Sequence, residues 1–194
     1  MKIVFATANP HKLQELKEIA GDTNIEFILP PKDFSPNENG KTFEENSYIK
    51  AKEAVRISNI ISLADDSGLC VEALNGEPGI HSARYDSTPQ KRIDRLLKNI
   101  ENSDNRKAKF VCSMTLLSAK GHILFQTRGE CPGEITKEQA GQNGFGYDPI
   151  FRPEGQEITM AEMSENEKNK ISHRGRALRK VLEYIEANQN ILNS

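Results

Sequence analysis

The start of the chain constrains the fold more than any other stretch. Lys2-Ile-Val-Phe-Ala6 is a short apolar run that reads as a buried strand. A polar turn follows at Thr7-Ala-Asn-Pro-His-Lys12. Leu13, Leu16, Ile19 and Ala20 then recur at helical spacing until Gly21 ends the run. A second strand is predicted over residues 25–29, stopped by Pro30 and Pro31. Strand, turn, helix and strand in that succession place the chain in the α/β class.

The rest of the sequence extends this plan. Residues 30–41 are rich in proline, asparagine and charge and read as a loop. Thr42 followed by Glu45 has the spacing of a capping box, opening a helix to about residue 58. Residues 60–64 form a short apolar strand that runs into Asp65-Asp66-Ser67-Gly68, read as a turn. A turn-rich stretch at 75–86 precedes a helix over 90–100. Two strands, 110–117 and 123–127, flank Ala119-Lys-Gly121 as a hairpin. A glycine-bearing loop is expected over 132–149, a polar helix over 159–170 and a last amphipathic helix over 174–188. Early strand–helix alternation with a later hairpin predicts a mixed sheet.

Composition removes several classes of function. The 194 residues suit one domain, or one domain with two lobes, and contain no repeat or linker. A net charge of −2 gives no bulk electrostatic reason to bind nucleic acid or a membrane. The apolar start is too short for a signal peptide, and no run reaches membrane-spanning length. The three cysteines have no Cys-x-x-Cys spacing, so a reducing cytoplasm is the expected setting. The four histidines lack a His-x-x-x-His pair, so any metal is expected to be a hard cation on oxygen ligands.

Several segments carry possible chemistry, each with a plainer alternative. Adjacent carboxylates at Asp65 and Asp66 repel, and a magnesium ion would relieve both the repulsion and the cost of burial. The same residues also make good turn chemistry. The turn at 7–12 meets a helix N-terminus that favours an anion, with Thr7, Asn9 and Lys12 as added donors. It is equally a simple capped turn. Gly144-Phe-Gly-Tyr-Asp-Pro149 could bring a backbone close to a nucleobase and stack an aromatic on it, or could be a rigid turn with Phe145 in the core. The basic segment from Lys168 to Arg176 could clamp phosphate or read base carbonyls, or could be a solvated helix face. Glu38 reads as a surface glutamate that could serve as a further oxygen ligand. Spacing alone gives the 75–85 stretch no role.

Taken together, these segments supply a metal site, a phosphate cradle, an aromatic shelf and a basic clamp. Thr7-Ala-Asn-Pro-His-Lys12, Thr42-Phe-Glu-Glu-Asn46, Ala64-Asp-Asp-Ser-Gly-Leu69, Pro78-Gly-Ile-His-Ser-Ala-Arg-Tyr85, Gly144-Phe-Gly-Tyr-Asp-Pro149 and Ser172-His-Arg-Gly175 occur in that order. The chain thereby resembles the inosine triphosphate pyrophosphatase family, in its bacterial and archaeal XTP/dITP diphosphatase branch. That resemblance implies an α/β fold with a long, bent mixed sheet, flanking helices and two lobes around a central cleft. It also implies a homodimer and magnesium-dependent cleavage of ITP, dITP and XTP to the monophosphate and pyrophosphate. By the family's motifs, Thr7, Ala8, Asn9, Pro10, His11 and Lys12 would bind the triphosphate, with Ser67 also touching substrate. Asp66 would be metal ligand and proton acceptor, Glu38 a second metal ligand, and Asp65 a supporting residue. Phe145, Gly146, Tyr147 and Asp148 would hold the nucleoside, and Lys168, His173 and Arg174 would complete the site.

Two rival functions remain in view. One is a pyrophosphatase for modified pyrimidine triphosphates. The other is a nucleotide sensor or RNA-binding module built on the basic segment near residue 170, although that gives no reason for Asp65 and Asp66.

Overall fold

A computed structural model describes residues 1–189. The strands are β1 (Lys2–Phe5), β2 (Glu26–Ile28), β3 (Ser62–Val71), β4 (Lys107–Leu117), β5 (Ile123–Ile135) and β6 (Phe151–Pro153). The helices are α1 (Pro10–Ala20), α2 (Phe43–Ser58), α3 (Pro89–Asn99), α4 (Glu165–Ile171) and α5 (His173–Ala187). The six strands are ordered β2-β1-β3-β4-β5-β6. β1 runs parallel to β2 and β3, and β5 antiparallel to β6, so the sheet is mixed.

The chain divides into two compact units. The first comprises Met1–Asp66, Cys112–Gly129 and the chain from Arg174; the second comprises Ser67–Val111 and Glu130–His173. Strand alternation builds the layers of the first unit. Ile3, Phe5, Leu63, Cys112, Met114 and Leu116 pack with Leu16 of α1 and with Ala177, Leu178 and Val181 of α5. Their neighbours Val4, Ala6, Ala64 and Leu117 pack with Ala51, Ala54 and Val55 of α2. One sheet face is therefore covered by α1 and α5, the other by α2. The second unit has its own core around Leu69, Leu96, Phe110, Tyr147 and Phe151, with Phe110 and Phe151 edge to face at 4.6 Å.

Helix ends follow their local chemistry. Asn9 caps α1 by accepting from the His11 amide at 3.0 Å, and Pro10 takes the first helical position. The turn expected to run to Lys12 thus ends at Asn9. Thr42 caps α2 by accepting from the Glu45 amide, a bond whose loss costs about 1 kcal/mol. The return bond of that predicted box goes one residue further out, from the Lys41 amide to Glu45 Oε2 at 2.6 Å. The reciprocal box forms instead at α4, between Ser164 and Glu167, so the polar helix expected from residue 159 starts later.

Two other differences concern strands. β3 does not stop at Ala64: it carries Asp65, Asp66, Ser67 and Gly68 through its middle. Cations from three helices compensate the two buried carboxylates, so turn chemistry loses to tertiary pairing. β5 continues to Ile135 because β6 pairs with its end, shortening the loop expected from 132. Among the described residues, no helix is long and apolar enough to cross a membrane.

Candidate active site

Adjacent residues of a strand face opposite ways, and this separates the two aspartates of β3. Asp65 lies on the α1 and α5 side. Lys12 Nζ of α1 reaches its two oxygens at 3.0 and 3.2 Å. Arg174, at the start of α5, donates to Oδ2 through Nη2 at 2.9 Å and Nε at 3.3 Å, while its Nη1 donates to Glu15. Burial pushes the Asp65 carboxyl up, but Lys12, Arg174 and Lys50 overcome it and hold Asp65 well below the usual carboxylate range. The Arg174 guanidinium is itself fully buried; Glu15 and Asp65 outweigh that burial and raise its pKa.

Asp66 lies on the α2 side. Lys50 Nζ donates to Asp66 Oδ1 at 2.8 Å and sits 3.1 Å from Glu38 Oε2. The other oxygen, Asp66 Oδ2, is buried and accepts no hydrogen bond among the described residues. Burial raises the Asp66 carboxyl above its usual value, and Lys50 offsets this only in part. Burial would lower the Lys50 ammonium, but Asp65, Asp66 and Glu38 together outweigh it and raise its pKa. An unpaired buried carboxylate oxygen is costly, and the Lys50 ammonium on the other oxygen is already shared with Glu38. The two aspartates thus make their direct ion pairs with different cations, Asp65 with Lys12 and Arg174 and Asp66 with Lys50.

The second unit holds another cluster. Lys168 of α4 donates to Asp148 Oδ2 at 2.7 Å, and the Phe145 amide donates to the same oxygen at 2.9 Å. A side chain on Gly144 would collide with that oxygen, and its φ of 72° lies in the left-handed region, so glycine is required twice over. The resulting turn presents the Phe145 ring, 44 % exposed, with Lys168 Nζ 4.7 Å from its centroid. Tyr147 is buried, and its hydroxyl donates to the Ser82 carbonyl at 2.9 Å. His173 stacks on Phe110 at 4.8 Å.

Residues 3–184 match the Ham1 family. This chain belongs to the Ham1 family. It is 46 % identical over 198 residues to the dITP/XTP pyrophosphatase of Aquifex aeolicus, covering 96 % of this chain and 97 % of that one. It is 44 % identical to the dITP/XTP pyrophosphatase of Staphylococcus epidermidis, covering 97 % and 98 %. Its structure resembles the Staphylococcus aureus Ham1 protein with a TM-score of 0.87 at 38 % identity, covering 97 % of this chain and 100 % of that one. The HAM1 protein of Coxiella burnetii gives 0.86 at 39 %, covering 96 % and 99 %.

Within this Ham1 chain, the first unit collects Lys12, Glu38 and Asp66 of the expected residues, with Thr7, Ala8, Asn9, Pro10 and His11 at the start of α1. Thr7 is buried and accepts from the Asn9 amide; Ala8, Pro10 and His11 are exposed. The second unit collects Phe145, Gly146, Asp148 and Lys168, with Ser67 half-buried in β3. Two expected site residues, Arg174 and Tyr147, make buried contacts within the protein: Arg174 with Asp65, and the Tyr147 hydroxyl with the Ser82 carbonyl. Sequence reasoning missed Lys50 and Glu15. The signal for Lys50 was its place in the buried stripe of α2, with Phe43, Ser47, Ala51 and Ala54. Among the described residues, no three metal-type side chains converge. Glu38 and Asp66 remain as two oxygen donors on either side of one cation, a set that suits magnesium, which keeps its other positions for water and phosphate.

Proposed function

We propose that this chain is a nucleoside triphosphate pyrophosphatase that cleaves dITP, ITP and XTP to the monophosphate and pyrophosphate, clearing deaminated purines from the nucleotide pool. The observation that carries the reading is Asp66 Oδ2, a buried carboxylate oxygen without a hydrogen-bond partner among the described residues. Relatives at 39–46 % identity named dITP/XTP pyrophosphatase support the substrate class. The family resemblance further supports a homodimer, which light scattering of the purified protein tests, and three cysteines without Cys-x-x-Cys spacing support a reducing cytoplasm.

In this reading, Glu38 and Asp66 hold the magnesium ion, whose chemistry is to neutralise the phosphates as the bond breaks. Asp66 takes the proton of the water attacking the α-phosphorus, a task suited to a buried carboxylate oxygen held in place without a hydrogen bond of its own among the described residues. Lys50 holds Asp66 in orientation through its 2.8 Å bond. Lys12, anchored on Asp65, and the positive end of α1 hold the leaving phosphates, so positioning supplies much of the rate. In the second unit, Phe145 offers a stacking face and Asp148 fixes the turn that presents it. Hypoxanthine and xanthine carry a carbonyl at C6 where adenine carries an amino group. A backbone or Lys168 donor aimed there would be left unpaired against ATP, a mismatch that discriminates strongly.

The test is product analysis over dITP, ITP, XTP, ATP, GTP, dTTP and dUTP, with and without magnesium. Pyrophosphate released from the deaminated purines, and only with the metal, is the expected result. Orthophosphate release would rule out attack at the α-phosphorus. Faster cleavage of dTTP or dUTP would favour the pyrimidine rival, and salt-dependent RNA binding without turnover the RNA module.

A further inference from the structure

The loop that carries Glu38 is fastened to the first turn of α2 at several neighbouring points, all inside the first unit. Asn46, only 1 % exposed, accepts the Gly40 amide on Oδ1 at 2.9 Å. Glu45 accepts the Lys41 amide at 2.6 Å. Lys50, one turn beyond Asn46, meets the Glu38 carboxylate at 3.1 Å. The backbone at Gly40 lies so close to α2 that a side chain there would stand 2.7 Å from Asn46 Oδ1, 2.8 Å from Glu45 Cβ and 3.0 Å from the Asn46 amide. Gly40 is not at positive φ, so the need for glycine is one of space rather than conformation.

We infer that Asn46 is a positioning residue: by holding the Gly40 amide it sets the Glu38 carboxylate at the Lys50–Asp66 pair before any substrate arrives. The physical reason is entropic. Glu38 lies in a proline- and glycine-bearing loop with its side chain about a third exposed, and the Lys50 ammonium it meets is shared with Asp66, so that ion pair alone leaves the loop backbone free. A buried amide acceptor two residues away removes backbone freedom that Glu38 would otherwise lose on binding a cation. Asn46 touches no reacting group; it acts through Glu38. This inference rests on the proposed role of Glu38, and it explains the asparagine of Thr42-Phe-Glu-Glu-Asn46.

The decisive measurements are hydrogen exchange on the metal-free protein and magnesium activation of dITP cleavage. In N46A the Gly40 amide exchanges about tenfold faster, as loss of a buried acceptor implies, while residues 47–58 keep their protection. N46D, which keeps an acceptor, restores the slow exchange. The magnesium concentration for half-maximal activity rises in N46A and in E38Q, and E38Q/N46A is no worse than E38Q, because the two residues act through one ligand. G40A makes the same break from the loop side, its methyl forcing the loop away from Asn46 and Glu45, and it should match N46A. Unchanged Gly40 exchange in both N46A and G40A, or additive losses in E38Q/N46A, overturns the inference. Should the wild-type chain cleave no dITP, the proposed function fails, yet the exchange comparison still decides whether Asn46 holds the loop.

Discussion

Each unit of this chain buries a lysine from a helix against an aspartate, and the two pairs are finished differently. In the second unit, Lys168 and the Phe145 amide both donate to Asp148 Oδ2, and the backbone at Gly144 leaves no room for a side chain beside it. In the first unit, Lys50 is shared between Asp66 and Glu38, and Asp66 Oδ2 is left over. A closed pair of this kind holds a loop in shape. An open one leaves a buried oxygen unpaired among the described residues where folding alone would favour pairing it, and such unmet groups concentrate at functional sites.

The sharpest break of that contrast is D66N. Removing the proposed proton acceptor should lower pyrophosphate release from dITP by about 10²–10⁴-fold. Thermal stability should hold, because burial already disfavours the Asp66 charge and a neutral amide of the same shape relieves it. Near-normal turnover in D66N removes Asp66 from the chemistry.

The closed pair should answer in stability instead. D148L leaves the Lys168 ammonium buried without its carboxylate, a change that costs about 3–5 kcal/mol. In a chain of this size that lowers the melting temperature by about 10 °C. D148L/K168M removes both charges and should recover most of the loss. If D148L melts with the wild type, the pair does not hold the loop.

How much of this was readable in advance depends on whether the signal was local. The Thr42 cap and the β4–β5 hairpin depend on neighbours in sequence, and they form where local chemistry places them; α1 starts earlier than the turn expected to Lys12, because Asn9 caps it and Pro10 takes its first position. β3 was cut short because Asp65-Asp66-Ser67-Gly68 is turn chemistry in isolation, and its compensating cations come from residues 12, 50 and 174. β6 spans three residues and has no periodicity to read. Lys50 is illegible in sequence for a related reason. It stands in Lys50-Ala-Lys52, and only the fold tells the buried lysine from its neighbour, whose ammonium lies 5.7 Å from the Tyr48 ring. Arg174 was noticed for its charge, but burial and two carboxylates direct it inward.

The two aspartates of the first unit should also separate on titration. Asp65 is lowered in the folded chain, so it contributes stability above its unfolded value near 3.8 that is lost as pH falls through the folded pKa. Asp66 is raised, so the folded chain takes up its proton first. Relative stability of the metal-free chain therefore grows as pH falls from the raised pKa toward 3.8. Urea unfolding from pH 3 to 7 checks both signs: D65N should flatten the loss at the acid end, and D66N should remove the opposing gain. Equal slopes in the two variants would mean that opposite strand faces do not separate the carboxylates.

The smallest expected effect lies at the exposed end of the closed pair. Phe145 contributes little to the core, being 44 % exposed, so F145A should leave stability within about 0.5 kcal/mol. Stacking a base on an aromatic ring is worth about 1–3 kcal/mol, so KM for dITP should rise roughly tenfold with kcat little changed. Every nucleobase has a face to stack, so the loss should be shared by dITP, XTP and the weakly used ATP, leaving their ratios intact. A change in those ratios would make Phe145 part of how the purine edge is read. A fall in kcat alone would mean that the second unit shapes the reacting phosphate, and the division between an open, reactive pair and a closed, scaffolding one would fail.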